Sequence, residues 1–239
     1  MEKETEINDA PAWYRKAMDV PYEDHMVNVE GVDIHYLTWG EAGRPGLVFV
    51  HGGAAHAHWW THVASQFAQI YRVAALDLSG HGDSGRRESY SLNQWCDEVA
   101  AVAADAKMEG PPIIIGHSMG GYVTLATAAN HPDKLAGAII LDSAVTAPDP
   151  EMQVKRRSQF ANPKIHADFP TAMARFRPVP EQENTEPFLM RHIARMSLTE
   201  VEGGVTWKFD PAVFQEQRRS TADELLRQVT CRIALFRAE

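Results

Sequence analysis

A chain of 239 residues carrying 32 acidic against 23 basic side chains, with a net charge of -9, can bury one sizeable core and is poorly suited to polyanionic partners such as nucleic acid or anionic lipid. Its two cysteines, Cys96 and Cys231, imply neither a disulfide framework nor a close-spaced metal cluster. Residues 1–19 are polar and acidic, unlike a secretory signal, and no run of 18 apolar residues occurs, so the expectation is a cytoplasmic protein with no membrane partner.

After the polar start, Met26 to Val29 and Val32 to Thr38 predict two antiparallel edge strands joined across Glu30-Gly31. The unbroken apolar runs Leu47 to Val50, ending at His51-Gly52-Gly53, and Tyr71 to Leu76, ending at Asp77, predict parallel strands covered on both faces. Between them, residues 58–68 predict a helix with Trp59, Val63 and Phe67 on one stripe. Ser91 and Gln94 form a capping-box pattern ahead of a helix in which Leu92, Trp95, Val99, Val102 and Ala106 recur at helical spacing. Gly110-Pro111-Pro112 stops it, Ile113 to Ile115 gives the next strand, Met119 to Asn130 a helix, and Ala138 to Leu141 another strand. The alternation predicts an α/β class with a mostly parallel sheet flanked by helices and right-handed crossovers. From about Thr146 prolines interrupt short helical patches, Pro187 to Met196 among them, and no strongly apolar strand is expected for some 80 residues. Thr221 to Gln228 then predicts a helix and Arg232 to Phe236 a returning strand. The organisation expected is residues 1–145 as the first part of a core, 146–220 as a helical cap, and 221–239 as a return to the core.

The chemistry concentrates at Gly116-His117-Ser118-Met119-Gly120. A nucleophile on a tight strand-to-helix turn stands clear of its neighbours only if residues two before and two after are small, and both are glycine. The following helix points its positive end at Ser118, and the Met119 N–H can hold negative charge on an attacked carbonyl oxygen. The loop His51-Gly52-Gly53-Ala54 can bring a second backbone donor, that of Gly53. His51 itself is expected to be a hydrogen-bonded structural imidazole.

VFVHGG, DLSGHGDS and GHSMGG, in that order on successive strands, resemble the α/β-hydrolase superfamily. The resemblance covers the chain from Val27 onward. It implies Ser118 as nucleophile, Gly53 and Met119 as oxyanion donors, the 146–220 excursion as a cap shaping the pocket, and Asp77 and His81 as supporting rather than proton-transferring groups. It also implies an acid after the seventh strand and a histidine after the eighth. By motif placement that acid falls about two positions past Glu239, so the expectation is an incomplete chain lacking about 50 residues. A degenerate fold, or a relay from residues present with Asp142 as acid, stays open; neither His192 in the cap nor His117 beside Ser118 suits the base, which is left unassigned.

His56, His58 and His62 invite comparison with a zinc site, but the glutamate of HExxH is absent and pocket-lining or structural histidines are expected instead. Trp59 and Trp60 suit an apolar pocket, although Trp59 fits a core position equally. No GxGxxG opens the first crossover, which disfavours a dinucleotide enzyme. The reaction expected is cofactor-independent cleavage of a carboxylic ester or related acyl bond in a small molecule, through an acyl-enzyme at Ser118. A carbon-carbon bond hydrolase or a non-catalytic binding protein are the alternatives.

Overall fold

The computed structural model describes residues 10–143, 150–179, 181–182, 185–215 and 221–238. Seven strands form the main sheet: β1 (Glu23–Val29), β2 (Val32–Trp39), β3 (Pro45–Val50), β4 (Arg72–Leu76), β5 (Glu109–His117), β6 (Gly137–Leu141) and β9 (Arg232–Phe236). Their order is β1-β2-β4-β3-β5-β6-β9. β2 runs antiparallel to both β1 and β4, and every pair from β4 to β9 is parallel. The parallel part follows from the continuous apolar runs, since a strand covered on both faces needs no polar side. In β3, Val48 and Val50 face one core with Leu76 and Ile114, while Leu47 and Phe49 face a second with Val73 and Ile115. Period-two alternation thus sorts an all-apolar strand into two layers.

Helix α3 (Leu92–Asp105) closes the first core through Trp95, Val99 and Val102. Ser91 caps it by accepting the Gln94 N–H, and its own hydroxyl donates to Gln94 Oε1 at 2.9 Å, so Gln94 is held by the cap side chain. Helix α4 (Met119–Asn130) is buried on nearly every side from Met119 to Ala128, as its nearly all-apolar sequence requires. It lies between the sheet, α3 and the short helix α8 (Ala222–Leu226), where Cys96, Leu125, Ala126 and Leu225 share a cluster. The capping box of α8 is formed by Thr221 and Glu224.

Three sequence expectations change. Residues 58–68 form no single helix: a 3₁₀ turn at Ala57–Trp59, one α turn, α2 (Thr61–Ala64), and a second 3₁₀ turn at Ser65–Phe67 replace it. The broken geometry turns Trp60 and Val63 onto the core beside Phe49, with ring centroids of Trp60 and Phe49 5.0 Å apart, and leaves Trp59 facing Phe176 of the insertion. The Gly110-Pro111-Pro112 break lies inside β5, where a register irregularity against β3 absorbs it. The segment expected as a helical excursion without a strongly apolar strand also holds a hairpin, β7 (Leu198–Val201) with β8 (Gly204–Trp207). These strands are four residues each, too short to register as an apolar run.

Between β6 and β9 the chain also forms α5 (Pro150–Phe160), α6 (Phe169–Met173) and α7 (Pro187–Met196). This insertion has a small core of its own, built on Ala172, Leu198 and Val205. The loop after β4 fastens it down. Gly82 N–H donates to the Lys208 carbonyl at 2.8 Å, Asp210 N–H to the Gly80 carbonyl at 2.7 Å, and Lys208 pairs with Asp83 at 2.6 Å. From the other side, the N-terminal helix α1 (Ala12–Met18) reaches α7, with the rings of Tyr14 and Phe188 4.6 Å apart.

Candidate active site

The sheet delivers three loops to the carboxyl ends of β3, β4 and β5, where open α/β sheets place their ligands. Ser118 sits between the last residue of β5 and the first of α4 with φ 52° and ψ -116°. A left-handed backbone at a serine costs about 1–3 kcal/mol and persists only where its surroundings enforce it. They do so here. The Ser118 N–H donates to the Leu141 carbonyl at 3.0 Å, and the Ser118 carbonyl accepts from Ser143 Oγ at 2.7 Å and from the N–H groups of Gly121 and Tyr122. Gly116 and Gly120 admit no side chain: a Cβ on Gly116 would lie 2.2 Å from the Gly120 carbonyl oxygen, and one on Gly120 2.3 Å from that of His51. The turn is therefore pressed between its own helix and β3.

His51-Gly52-Gly53 lies directly against it, since a Cβ on Gly52 would come within 3.5 Å of Ser118 Cβ. Among the described residues, the N–H groups of Gly53 and Met119 have no hydrogen-bond acceptor. His51 is a structural imidazole. It is 1% exposed, its Nε2 accepts the Leu78 N–H at 3.0 Å and its Nδ1 therefore carries the proton given to the Gly52 carbonyl at 2.7 Å. Burial pushes its pKa down, partly offset by Asp77.

Asp77 is the second fixed point. Its carboxylate accepts from His35 Nδ1 at 2.7 Å, from Ala57 N–H at 2.5 Å and from Asp83 N–H at 2.8 Å, which ties β2, the loop after β3 and the loop after β4 together. Burial acts against its charge, and the His35 hydrogen bond and field outweigh it, holding the carboxyl well below the usual range. His81, also buried, is lowered to about 3 by desolvation, and its Nδ1 meets the Ser79 carbonyl at 3.3 Å. Asp77 and His81 are thus engaged locally. Among the described residues the group with ligand-like spacing is His35, Asp77 and Asp83 rather than the histidines at 56, 58 and 62, and Asp77 already spends both oxygens on hydrogen bonds.

His56 and His58 take separate roles, and His62 lies beside the Tyr14 ring with centroids 6.1 Å apart. His56 donates from Nε2 to Ser197 Oγ at 2.8 Å, that hydroxyl donating in turn to the Ile193 carbonyl, which joins the loop after β3 to the insertion. His58 meets Thr61 Oγ1 at 3.3 Å and packs edge-on against His192 with centroids 6.0 Å apart. Burial holds both His58 and His192 down at about 4. His117 is lowered by burial, with Asp142 opposing, and among the described residues no imidazole is hydrogen-bonded to the Ser118 hydroxyl.

A cavity of about 590 Å³ opens over Gly53 and Ala54 and extends beneath the insertion, with Trp59, Phe160, Phe176 and Trp207 in its wall. It ends one residue from Gly52, the neighbour of Ser118, and Ser118 itself is not in its lining. Trp59, left open between pocket and core by the sequence, faces the cavity. Sequence reasoning missed Lys164, Arg175, Arg177 and Lys208, which also line it. They are spread along a proline-broken segment whose folding back over the sheet no local pattern encodes.

Residues 45–230 match the family model described as alpha/beta hydrolase fold. Lipase LipV of Mycobacterium tuberculosis is 33% identical over 114 residues, 48% of this chain and 43% of the lipase. Epoxide hydrolase 4 of Mus musculus is 30% identical over 115 residues, 47% of this chain and 32% of that protein. The chain thus spans less than half the length of these two relatives. Among solved structures, the thioesterase domain from the curacin biosynthetic pathway superposes with a TM-score of 0.74 at 24% identity, covering 90% of this chain and 82% of that domain, a likeness of fold. No helix among the described residues is long and apolar enough to cross a membrane.

Proposed function

The chain belongs to the alpha/beta hydrolase fold family, and on that premise we propose that it is a serine hydrolase whose nucleophile is Ser118. The Ser118 oxygen attacks a carboxylic ester or related acyl carbonyl; the carbonyl π electrons move to its oxygen, which the N–H groups of Gly53 and Met119 receive. Collapse of the tetrahedral intermediate expels the alcohol, which leaves with a proton, and water then cleaves the acyl-enzyme to the acid and restores the hydroxyl. The route as drawn needs neither metal nor cofactor. Residues 146–220 act as a cap that shapes the pocket.

The observation that carries this reading is the enforced backbone of Ser118, at φ 52° between two glycines that admit no Cβ. A binding role asks for no such strained serine. Epoxide hydrolase 4 is a relative of different chemistry, and here the turn carries a hydroxyl, which favours acyl transfer and needs a base to take its proton. Hydrolysis of p-nitrophenyl butyrate by the protein and its loss in Ser118→Ala tests the reading; equal hydrolysis by both proteins refutes it.

A further inference from the structure

Acidic residues outnumber basic ones 32 to 23 along the chain, yet the described lining of the 590 Å³ cavity includes Lys164, Arg175, Arg177 and Lys208 and no aspartate or glutamate. The four cations come from three stretches of the insertion that are brought together only by folding. Lys208 is 14% exposed and neutralised by Asp83, so its charge is already answered. Arg177 donates to the carbonyls of Ala174 at 3.2 Å and Phe176 at 2.6 Å, and among the described residues it has no carboxylate partner. Among the described residues Lys164 and Arg175 have no carboxylate partner. The one carboxylate close in sequence to Lys164, Asp168, is spent as the N-cap of α6, accepting the Thr171 N–H at 2.8 Å.

The lining is also aromatic. Phe176 bridges Trp59 and Trp207, with centroids 6.3 and 5.9 Å away. A ligand lying in the cavity therefore meets the loop of Gly53, apolar rings, and cations that have no carboxylate partner among the described residues.

We propose that the cavity selects acyl substrates bearing an anionic group, carboxylate or phosphate, in addition to the scissile carbonyl, with Arg175, Lys164 and Arg177 as the groups that receive it. The proposal rests on the hydrolase reading for the word substrate and on the cavity alone for the preference. Exposed cations each contribute modestly in water, and their sum over one anion gives a preference of roughly fivefold that weakens with salt.

The test is binding rather than turnover. Quenching of tryptophan fluorescence, to which Trp59 and Trp207 in the wall respond, is titrated with 4-phenylbutyrate, its neutral primary amide, and phenyl phosphate. The expected result is tighter binding of an anion than of the amide by roughly fivefold, reduced by raising salt and abolished in Lys164→Glu/Arg175→Glu. Whichever anion binds more tightly identifies the group received. Equal affinity for anion and amide, or an anion preference that survives the double reversal, overturns the proposal. Ser118→Ala retains the preference, so failure of the nucleophile assignment leaves this result standing, and loss of the preference leaves that assignment untouched.

Discussion

Gly120→Ala tests whether the serine turn is clamped in the way its geometry implies. The added methyl would sit 2.3 Å from the His51 carbonyl oxygen and 2.4 Å from that of Val50, both backbone atoms. Reaching a tolerable separation of about 3 Å requires helix or strand to move by at least about 0.7 Å. β3 cannot give easily, because it is hydrogen-bonded to β4 on one side and β5 on the other. α4 cannot give without opening the Leu125–Ala126 cluster against α8. The cost belongs at the upper end of overpacking, about 3 kcal/mol, which in a chain of this size lowers Tm by roughly 6–12 °C. Differential scanning calorimetry at pH 7.5 measures it, with fluorophosphonate labelling of Ser118 as the local readout, which slows because the hydroxyl and the Met119 N–H are displaced together. A variant that melts within a degree of the parent and labels at the parental rate refutes the clamp.

Arg87→Met strands the Glu98 carboxylate, fully buried and paired with Arg87 at 3.0 Å, and is expected to cost about 3 kcal/mol by urea denaturation; adding Glu98→Gln recovers part of that loss, whereas a single variant of parental stability would contradict the pairing. Stability is also expected to fall as pH drops from about 7 to 5. The cause is burial of neutral imidazoles: His58 and His192 are held at about 4 and His81 at about 3, so below the ordinary histidine range the unfolded chain binds protons the folded one refuses. Each contributes on the order of 1–2 kcal/mol across that interval. His35, raised by Asp77, has the opposite sign: its contribution is complete at low pH and is lost as pH rises through its folded value. One raised group against several lowered ones leaves the net slope positive, and a Tm that rises on going from pH 7 to 5 would contradict it. Exchanging residues 146–220 for another helical cap is expected to change ester preference while Ser118 still takes a fluorophosphonate; loss of labelling in a folded chimera counts against that division of roles.

Much of the fold was legible because β3, β4, β5 and β6 are apolar runs closed by glycine, aspartate or histidine, and burial on both faces leaves that signature. The turn at Ser118 was legible for the same local reason: Gly116 and Gly120 flank it at the spacing the steric clash demands. The 58–68 segment was not, because its apolar residues fit one helical stripe while the Asp77 carboxylate takes the Ala57 N–H and sets a different start. The β7–β8 hairpin was hidden by its length and by its dependence on a partner distant in sequence, His166, which exchanges both backbone hydrogen bonds with Val205. The cavity's cations were invisible for a related reason, since nothing local distinguishes Lys164 or Arg175 from a solvated surface charge.

Site-resolved mass spectrometry after fluorophosphonate treatment, in parallel for the parent and Ser118→Ala, addresses the nucleophile most directly. Removing Oγ from a half-exposed turn leaves no large cavity, so the variant should keep its fold to within about 1 kcal/mol. The account predicts a single phosphonyl adduct on the peptide containing Gly116 to Gly121, absent from Ser118→Ala along with hydrolysis of p-nitrophenyl butyrate. An adduct on any other residue, or undiminished hydrolysis by Ser118→Ala, contradicts it.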